Sequence, residues 1–158
     1  MPDSVSVSAA TLDDLGVVVP LCVALQAAHA EAMPATFVAP DPDAIAAFLR
    51  ESIAGDHVVL AASHERRVVG SLLAVLVDRP AGPFLRAGRT MSVGHIAVAD
   101  GVRRLGVGRA LLDRVAEIGR ARGAAALHLE SWEWNDGAYA FFEAQGFDRV
   151  RHAFRLAL

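Results

Sequence analysis

Lysine is absent from this sequence of 158 residues, so all fifteen of its basic side chains are arginines. Eighteen acidic residues outnumber them and give a net charge of −3. This balance argues against sequence-independent binding of nucleic acid, which requires a strongly basic face. The missing lysine also excludes a phosphate-binding loop of the Gly-Lys-Ser/Thr type, in which the lysine contacts the phosphates directly.

Cysteine occurs only once, as Cys22, which excludes an intramolecular disulfide. Its apolar neighbours indicate a small buried side chain rather than a reactive thiol. The longest early apolar run, residues 16–25, is shorter than the roughly 20 residues that span a membrane, and Pro20 interrupts it. The first residues lack the basic stretch of a secretory signal. We therefore expect a cytoplasmic protein with no membrane partner.

Apolar residues are plentiful, at 54% of the chain against 21% charged residues. This composition provides enough apolar surface for one packed core and excludes intrinsic disorder. A length of 158 residues is typical of one domain rather than two. We therefore expect residues 1–158 to form a single domain.

The order of the periodic segments predicts a mixed α/β fold. Alternating apolar runs predict strands at residues 5–9, 58–62, 68–77, 90–99, 124–132 and 147–158. Helical periodicity predicts four helices, which begin near Thr11 and Pro42 and cover residues 105–122 and 135–145. We expect Pro20 to kink or divide the first helix, and Phe48 to face inward on the second. The strand-helix-strand unit of the second half predicts a parallel crossover.

The most informative feature is a turn between a predicted strand and a predicted helix. It contains three arginines and two glycines, namely Arg103, Arg104, Arg109, Gly106 and Gly108. The N-terminus of a helix offers unpaired N–H groups to a phosphate, and glycines allow close approach. The pattern therefore predicts a pyrophosphate cradle. A dinucleotide fingerprint would require a third glycine where Leu111 stands, so a dinucleotide-binding domain is the least favoured alternative.

The same turn resembles a motif of the GNAT family of N-acetyltransferases. The family's Arg/Gln-x-x-Gly-x-Gly/Ala reads here Arg103-Arg-Leu-Gly106-Val-Gly108. A second family motif, Asn-x-x-Ala-x-x-Phe-Tyr-Glu-x-x-Gly-Phe, matches from Asn135 onward with one departure, Phe142 in place of Tyr. The resemblance covers residues 57–152 well. It implies a GNAT-type fold, with a mixed, mostly antiparallel central sheet splayed between its fourth and fifth strands and flanked by about four helices.

The resemblance implies acetyl-CoA as cosubstrate, bound between the splayed strands, and no metal. The strand backbone at Ile96, Ala97 and Val98 would pair with pantetheine, and the Val98 N–H would polarise the thioester carbonyl. The remaining cofactor contacts would come from Arg103, Arg104, Leu105, Gly106, Val107, Gly108, Arg109, Asn135, Ala138, Phe141 and Phe142. Residues 57–158 would form the cofactor-binding core, and the helices of residues 1–56 would form part of the acceptor site.

Amine acetylation requires a group that removes a proton from the amine. Glu130 is the first candidate base, because ribosomal-protein alanine acetyltransferases use a Glu at the matching position. His95 is the rival base, and strict alternation along its strand places Ser92 on the opposite face. Both candidates have simpler interpretations, Glu130 as the partner of an arginine and His95 as a structural residue. Because Phe142 replaces the usual general-acid Tyr, Tyr139 is the candidate substitute.

These patterns predict an N-acetyltransferase that moves the acetyl group of acetyl-CoA to a primary amine of a small molecule or a protein N-terminus, by direct attack in a ternary complex. A non-catalytic acyl-CoA-binding or sensor module is the alternative, and the substitution at Phe142 keeps it open. Candidate walls of the acceptor site are the connector 33–37, the loop 78–88 and the turn 132–135. No nucleic-acid partner is expected, and a homodimer is kept as a hypothesis.

Overall fold

A computed structural model describes residues 4–158 of the chain. These residues form five strands and four α-helices in the order β1 (Ser6–Ala9), α1 (Leu15–Ala32), α2 (Pro42–Ala54), β2 (Val58–His64), β3 (Arg67–Arg79), β4 (Gly88–Val98), α3 (Val107–Ala121), β5 (Ala126–Leu129) and α4 (Asp136–Ala144). A short 3-10 turn, Leu12–Asp14, precedes α1. The predicted mixed α/β order is confirmed.

The five strands form one sheet in the order β1-β2-β3-β4-β5. Neighbouring strands run antiparallel except β4 and β5, which are parallel because α3 crosses between them. β4 and β5 pair only from Thr90 opposite Ala126 to Val93 opposite Leu129. β4 nevertheless continues to Val98, still paired with β3. The sheet therefore splays after Val93, between its fourth and fifth strands, as expected.

Helices cover both faces of the sheet and divide the core into two clusters. Against one face, α3 buries Val107, Leu111, Leu112 and Val115 on Leu72, Ala74, Met91 and Val93. Against the other, α1 and α2 bury Leu15, Val18, Cys22 and Leu49 on Val59, Ala61 and Leu73. The inward spacing of α3 is the predicted one, because positions three and four apart share a helix face.

Local sequence signals set several helix ends. The Asp41 carboxylate accepts hydrogen bonds from the N–H groups of Asp43 and Ala44 at the start of α2. Asn135 caps α4 in the same way, through its bond from Ala138 N–H. Gly123 follows α3 with a φ of +79°, a left-handed conformation that favours glycine.

Two expectations about the first helices, a division at Pro20 and an inward position of Phe48, are wrong. Pro20 does not divide α1, which continues from Leu15 to Ala32. Because Pro20 lies in the second turn, its missing N–H removes only the bond to the carbonyl of Gly16. Phe48 does not join the inward face of α2 but is 48% exposed, and it contacts His57 edge to face.

The first helical segment is also longer than the apolar run 16–25 suggested. Among residues 4–158, one segment, Leu12–Ala32, is long and apolar enough to cross a membrane by length and composition alone. In the fold, its inner face places Leu15, Val18 and Cys22 in the core.

Two predicted strands differ from the observed structure. The strand expected at 124–132 is only Ala126–Leu129, because it loses its partner where β4 and β5 diverge. The last strand expected, at 147–158, is absent from the structure, where these residues have no regular conformation. Their alternating pattern favours a strand, but they have no strand neighbour within the described chain.

Candidate active site

A β-bulge at Gly94 decides which residues of β4 face the site. Opposite β3, the register moves from Val93 paired with Ala74 to His95 paired with Leu73, which leaves Gly94 without a partner. Val93 packs on the α3 side, whereas His95 contacts α1 on the other side. The bulge shifts the alternation by one residue, so Ser92 and His95 share a face. The prediction that they lie on opposite faces is wrong.

His95 contacts the only cysteine of the chain, with its Nε2 atom 3.4 Å from Cys22 Sγ. Burial lowers the pKa of His95 below its ordinary value, so the imidazole is neutral at pH 7. Burial raises the pKa of the Cys22 thiol, and the nearby Ser71 hydroxyl acts weakly in the opposite direction. The pair is therefore a neutral thiol against a neutral imidazole, a state in which His95 can accept a proton.

β4 presents a free backbone edge beyond the splay. From His95 to Val98 this strand pairs with β3 on one side, and from Gly94 onward β5 no longer pairs on the other. The N–H and C=O groups on that side are available to an extended ligand, in the manner of an added strand. Ile96, Ala97 and Val98, which the resemblance assigns to pantetheine, all lie in this stretch.

The turn after β4 forms an open N-terminus on α3. Gly106 caps the helix in a left-handed conformation, with φ of +81° and open space where a Cβ would stand. The first helical bond runs from Ala110 N–H to the Gly106 carbonyl, at 2.9 Å. The N–H groups of residues 107–109 therefore have no carbonyl acceptor within the helix, and they point outward from the helix end. This is the geometry that the predicted cradle requires.

The side chains of the turn have different roles. Arg103 and Arg109 are exposed and pair with Asp100 at 3.0 Å and Asp113 at 3.7 Å. Such exposed pairs contribute little to stability and release readily. Arg104 and Leu105 are also exposed, whereas the Val107 side chain is buried in the core. Only the backbone of Val107 is therefore available to a ligand.

The wall across from the turn is α4. A Cβ on Gly108 would lie 2.8 Å from Phe141 Cζ, so the ring of Phe141 occupies the space above this glycine. Phe142 packs with Phe141 and Phe147 against the α3 core. Ala138 is half-buried on the same helix.

The two other predicted proton carriers lie in less favourable surroundings. Glu130 follows the last residue of β5, is exposed, and pairs with Arg151. Tyr139 donates a hydrogen bond to the Ser131 carbonyl at 3.3 Å, and the Arg149 guanidinium lies 4.7 Å from its ring centroid. Tyr139 must break this hydrogen bond before it can protonate a leaving thiolate.

Tyr139 lines an open cavity of about 310 Å³ on the outer side of α4. The other lining residues are mostly charged or titratable, namely Glu133, Asp136, Ala140, Glu143, Arg149 and His152. None of them belongs to β4 or to the α3 turn, so this cavity is separate from the predicted cradle.

An aromatic cluster joins two of the three predicted acceptor walls. The ring of Phe37, from the connector, lies 5.2 Å from Trp132, and His29 lies 4.9 Å from Phe37 and 5.4 Å from Trp134. Sequence reasoning missed His29. Its position seven residues after Cys22 places both side chains on one face of α1, two turns apart, and that spacing was the available signal.

The loop that was the third predicted wall is not part of this cluster. Its Phe84 is 94% exposed and makes none of the ring contacts of the cluster. In residues 4–158, no group of three or more His, Cys, Asp or Glu side chains has an arrangement that fits a metal ion.

Solved structures share this architecture. A mutant of the BH1408 protein from Bacillus halodurans is 23% identical and has a TM-score of 0.91, over 97% of this chain and 99% of that chain. An acetyltransferase from Trypanosoma brucei is 22% identical and has a TM-score of 0.68, over 98% and 100%.

A third neighbour is the aminoglycoside N-acetyltransferase AAC(6')-Iy in complex with CoA. It is 18% identical to this chain and has a TM-score of 0.77, over 100% of this chain and 97% of that one. No curated protein matches the sequence. Residues 23–147 match the acetyltransferase (GNAT) family. Because this segment is most of the chain, the protein belongs to the GNAT family of acetyltransferases.

Proposed function

We propose that this protein is an N-acetyltransferase that moves the acetyl group of acetyl-CoA to a primary amine, by direct attack in a ternary complex. The observation that carries the proposal is the free edge of β4 from Gly94 to Val98, which leads directly into the open N-terminus of α3. Family membership supports acyl transfer, and the CoA complex of AAC(6')-Iy supports the choice of cofactor.

The chain's residues fit acetyl-CoA in two places. The N–H groups of residues 107–109 suit the pyrophosphate, and exposed Arg103 and Arg109 add positive charge beside them. The free edge at Ile96 to Val98 suits the amide groups of pantetheine. Bound acetyl-CoA supplies the thioester whose acyl group is transferred.

We propose His95 as the base that removes the proton from the amine. Its imidazole is neutral at pH 7 and lies on the part of β4 where the edge is free. When Nε2–H donates to Cys22 Sγ, Nδ1 has a free lone pair and accepts the proton. Glu130 is the second candidate, but its carboxylate must first separate from Arg151.

The aromatic cluster of His29, Phe37, Trp132 and Trp134 supports an amine-bearing acceptor. A protonated amine is attracted to the faces of aromatic rings, most strongly to tryptophan. Glu133 lies between the two tryptophans in sequence and adds negative charge to the loop. The AAC(6')-Iy structure with a bisubstrate analogue, CoA-S-monomethyl-acetylneamine, supports a small-molecule amine. A protein N-terminus is the other acceptor class.

The test is acetyl-CoA-dependent release of CoA thiol in the presence of a panel of amines, with hydrolysis in the absence of amine subtracted. The panel contains aminoglycosides, polyamines and short peptides with free N-termini. Because Cys22 is buried and its thiol has a raised pKa, the protein contributes little background to a thiol-reactive dye. Amine-dependent release by the wild-type chain, and its loss in His95→Gln, is the expected result.

A non-catalytic acyl-CoA sensor is the second candidate function. Two observations favour it, namely Phe142 in place of the family Tyr and the engagement of Glu130 by Arg151. Binding of acetyl-CoA without release of CoA for any amine class would support the sensor instead of the enzyme.

A single domain over residues 1–158 and a cytoplasmic location stay predictions.

A further inference from the structure

Three polar side chains meet beneath α1, on the face of the sheet opposite α3. Cys22 Sγ lies 3.4 Å from His95 Nε2. His95 is opposite Leu73 in the register with β3, and Ser71 stands two residues before Leu73 on the same face of that strand. Cys22 and Ser71 are 6% and 1% exposed, whereas His95 is half-buried. The accessible part of the imidazole is therefore the part turned away from Cys22.

The Ser71 hydroxyl is the member of this cluster that lacks a partner. Within residues 4–158 its buried Oγ atom makes no hydrogen bond. It nevertheless lies close enough to the Cys22 thiol to lower the pKa of that group. Because a hydroxyl hydrogen rotates about the C–O bond, the O–H of Ser71 can turn toward Cys22 Sγ. A buried donor without a partner is unfavourable, so we expect the O–H to take this direction.

The cluster contains three donors, namely the Ser71 O–H, the Cys22 S–H and the single N–H of the neutral His95 ring. If the S–H donated to Nε2, the ring proton would be on Nδ1, and this N–H would have no partner within the described chain. If Sγ instead accepts from both Ser71 and His95, the donor left over is the S–H. A thiol is a weak donor, so the second arrangement sacrifices the weaker hydrogen bond.

We propose that Cys22 and Ser71 are positioning residues for His95. Cys22 Sγ accepts hydrogen bonds from Ser71 O–H and from His95 Nε2–H, and this fixes the tautomer in which Nδ1 has a free lone pair. The inference rests on the proposed role of His95 as the base. In that step an N–H bond of the acceptor's ammonium group breaks, its electron pair stays on the amine nitrogen, and the proton goes to Nδ1. Nε2–H keeps its bond to Sγ throughout.

The first test determines the tautomer without substrate or cofactor. In protein that carries isotopically labelled histidine, the NMR shifts of the ring nitrogens show which one is protonated, and the spectrum of His95→Gln identifies the signals of His95. At pH 7, where His95 is neutral, the expected result is a protonated Nε2 and an unprotonated Nδ1. A proton on Nδ1 would overturn the proposal, whatever the activity of the protein.

The second test removes the acceptor of the Nε2–H bond. Cys22→Ala should populate both tautomers and lower kcat about three- to tenfold, the change that corresponds to one hydrogen bond of ordinary strength. The KM for acetyl-CoA should stay the same. Cys22→Ser supplies an oxygen that accepts the same bonds, so it should restore the tautomer and most of the activity. Ser71→Ala should shift both measurements in the same direction as Cys22→Ala, by a smaller amount.

Val18→Ala is the matched control, because Val18 lies about one turn before Cys22 on α1, is 1% exposed and belongs to the same core cluster. It should lower the thermal midpoint but leave kcat and the tautomer of His95 unchanged. A wild-type tautomer and kcat in Cys22→Ala, or an equal loss of kcat in Val18→Ala, would contradict the positioning role. If the wild-type chain shows the expected tautomer but releases CoA for no amine, the arrangement of the three side chains holds and the proposed function fails.

Discussion

The ring of Phe141 lies where a side chain on Gly108 would stand, with Cζ only 2.8 Å from the position of a Cβ. This contact seats α4 on the first turn of α3, which is the turn that carries the free N–H groups. Gly108 therefore has a packing role in addition to the cofactor-binding role that we propose for its turn. The two family motifs, which are separate in sequence, meet at these two residues.

Replacing Gly108 by alanine should lower stability, because Phe141 must move from its place in the core. We expect a loss of about 1–3 kcal/mol, or roughly 2–4 °C in the midpoint per kcal/mol. Thermal unfolding checks this, with Gly82→Ala as control, because a Cβ there meets nothing within 4 Å. Equal midpoints for the two variants would contradict the packing role.

Replacing Gly106 by alanine should weaken acetyl-CoA binding as well as stability. The left-handed conformation costs an alanine about 1–2 kcal/mol, and relaxing it would turn the N–H groups at the start of α3. Gly101 has a similar φ of +84° but lies outside the helix cap, so Gly101→Ala is the matched control. By calorimetry, affinity should fall much further in the Gly106 variant. Equal affinities in both variants would exclude the cap from the binding site.

Measurements of kcat distinguish between the two candidate bases, His95 and Glu130. His95→Gln should lower kcat by about 10²–10⁴, the usual contribution of a positioned base, with little change in the KM for acetyl-CoA. Glu130→Gln should change kcat much less, because this carboxylate is exposed and engaged by Arg151. If the Glu130 variant shows the larger loss, the assignments are reversed.

The stability of the fold should depend on pH through His95. Burial lowers its pKa in the folded chain, while the unfolded chain keeps a value of about 6.5. The unfolded state therefore binds more protons below that pH, so the contribution to the free energy of unfolding is complete above pH 6.5. It is lost as pH falls toward the lower, folded pKa. The free energies of unfolding of the wild type and His95→Gln, measured with denaturant, should therefore converge as pH falls through this range. A difference that does not change with pH would refute the buried neutral state of His95.

Much of the fold follows from local signals in the sequence. Asp41, Asn135 and Gly123 mark helix ends by side-chain bonds or backbone conformation. The helix bounds predicted beside them, near Pro42, at residue 122 and at Asn135, agree with the structure. The sequence did not show the bulge at Gly94, because it arises from the register between two strands and reverses the face of His95. The connector 33–37 and the turn 132–135 were predicted as acceptor walls, but the contacts between their rings, and the part that His29 plays, depend on the fold and were not predicted.

The failed prediction of a last strand has a related cause. The alternation at residues 150–158 indicates a segment suited to a β-strand. Strand formation also requires a neighbouring strand with which the segment pairs. Within residues 4–158, residues 148–158 make no backbone hydrogen bond to the open edge of β5. The pattern within the sequence therefore indicates a tendency to form a strand, but it does not indicate a strand to pair with.

Thermal unfolding with and without acetyl-CoA tests the central claim most directly, with NADH and ATP as control ligands. Acetyl-CoA at a hundred times its Kd should stabilise the chain by about 2.7 kcal/mol, and the midpoint should rise by roughly 2–4 °C per kcal/mol. The controls should produce no comparable shift. The absence of a shift with saturating acetyl-CoA would contradict both the acetyltransferase and the acyl-CoA sensor, and would leave this chain with the fold of its family but not its cosubstrate.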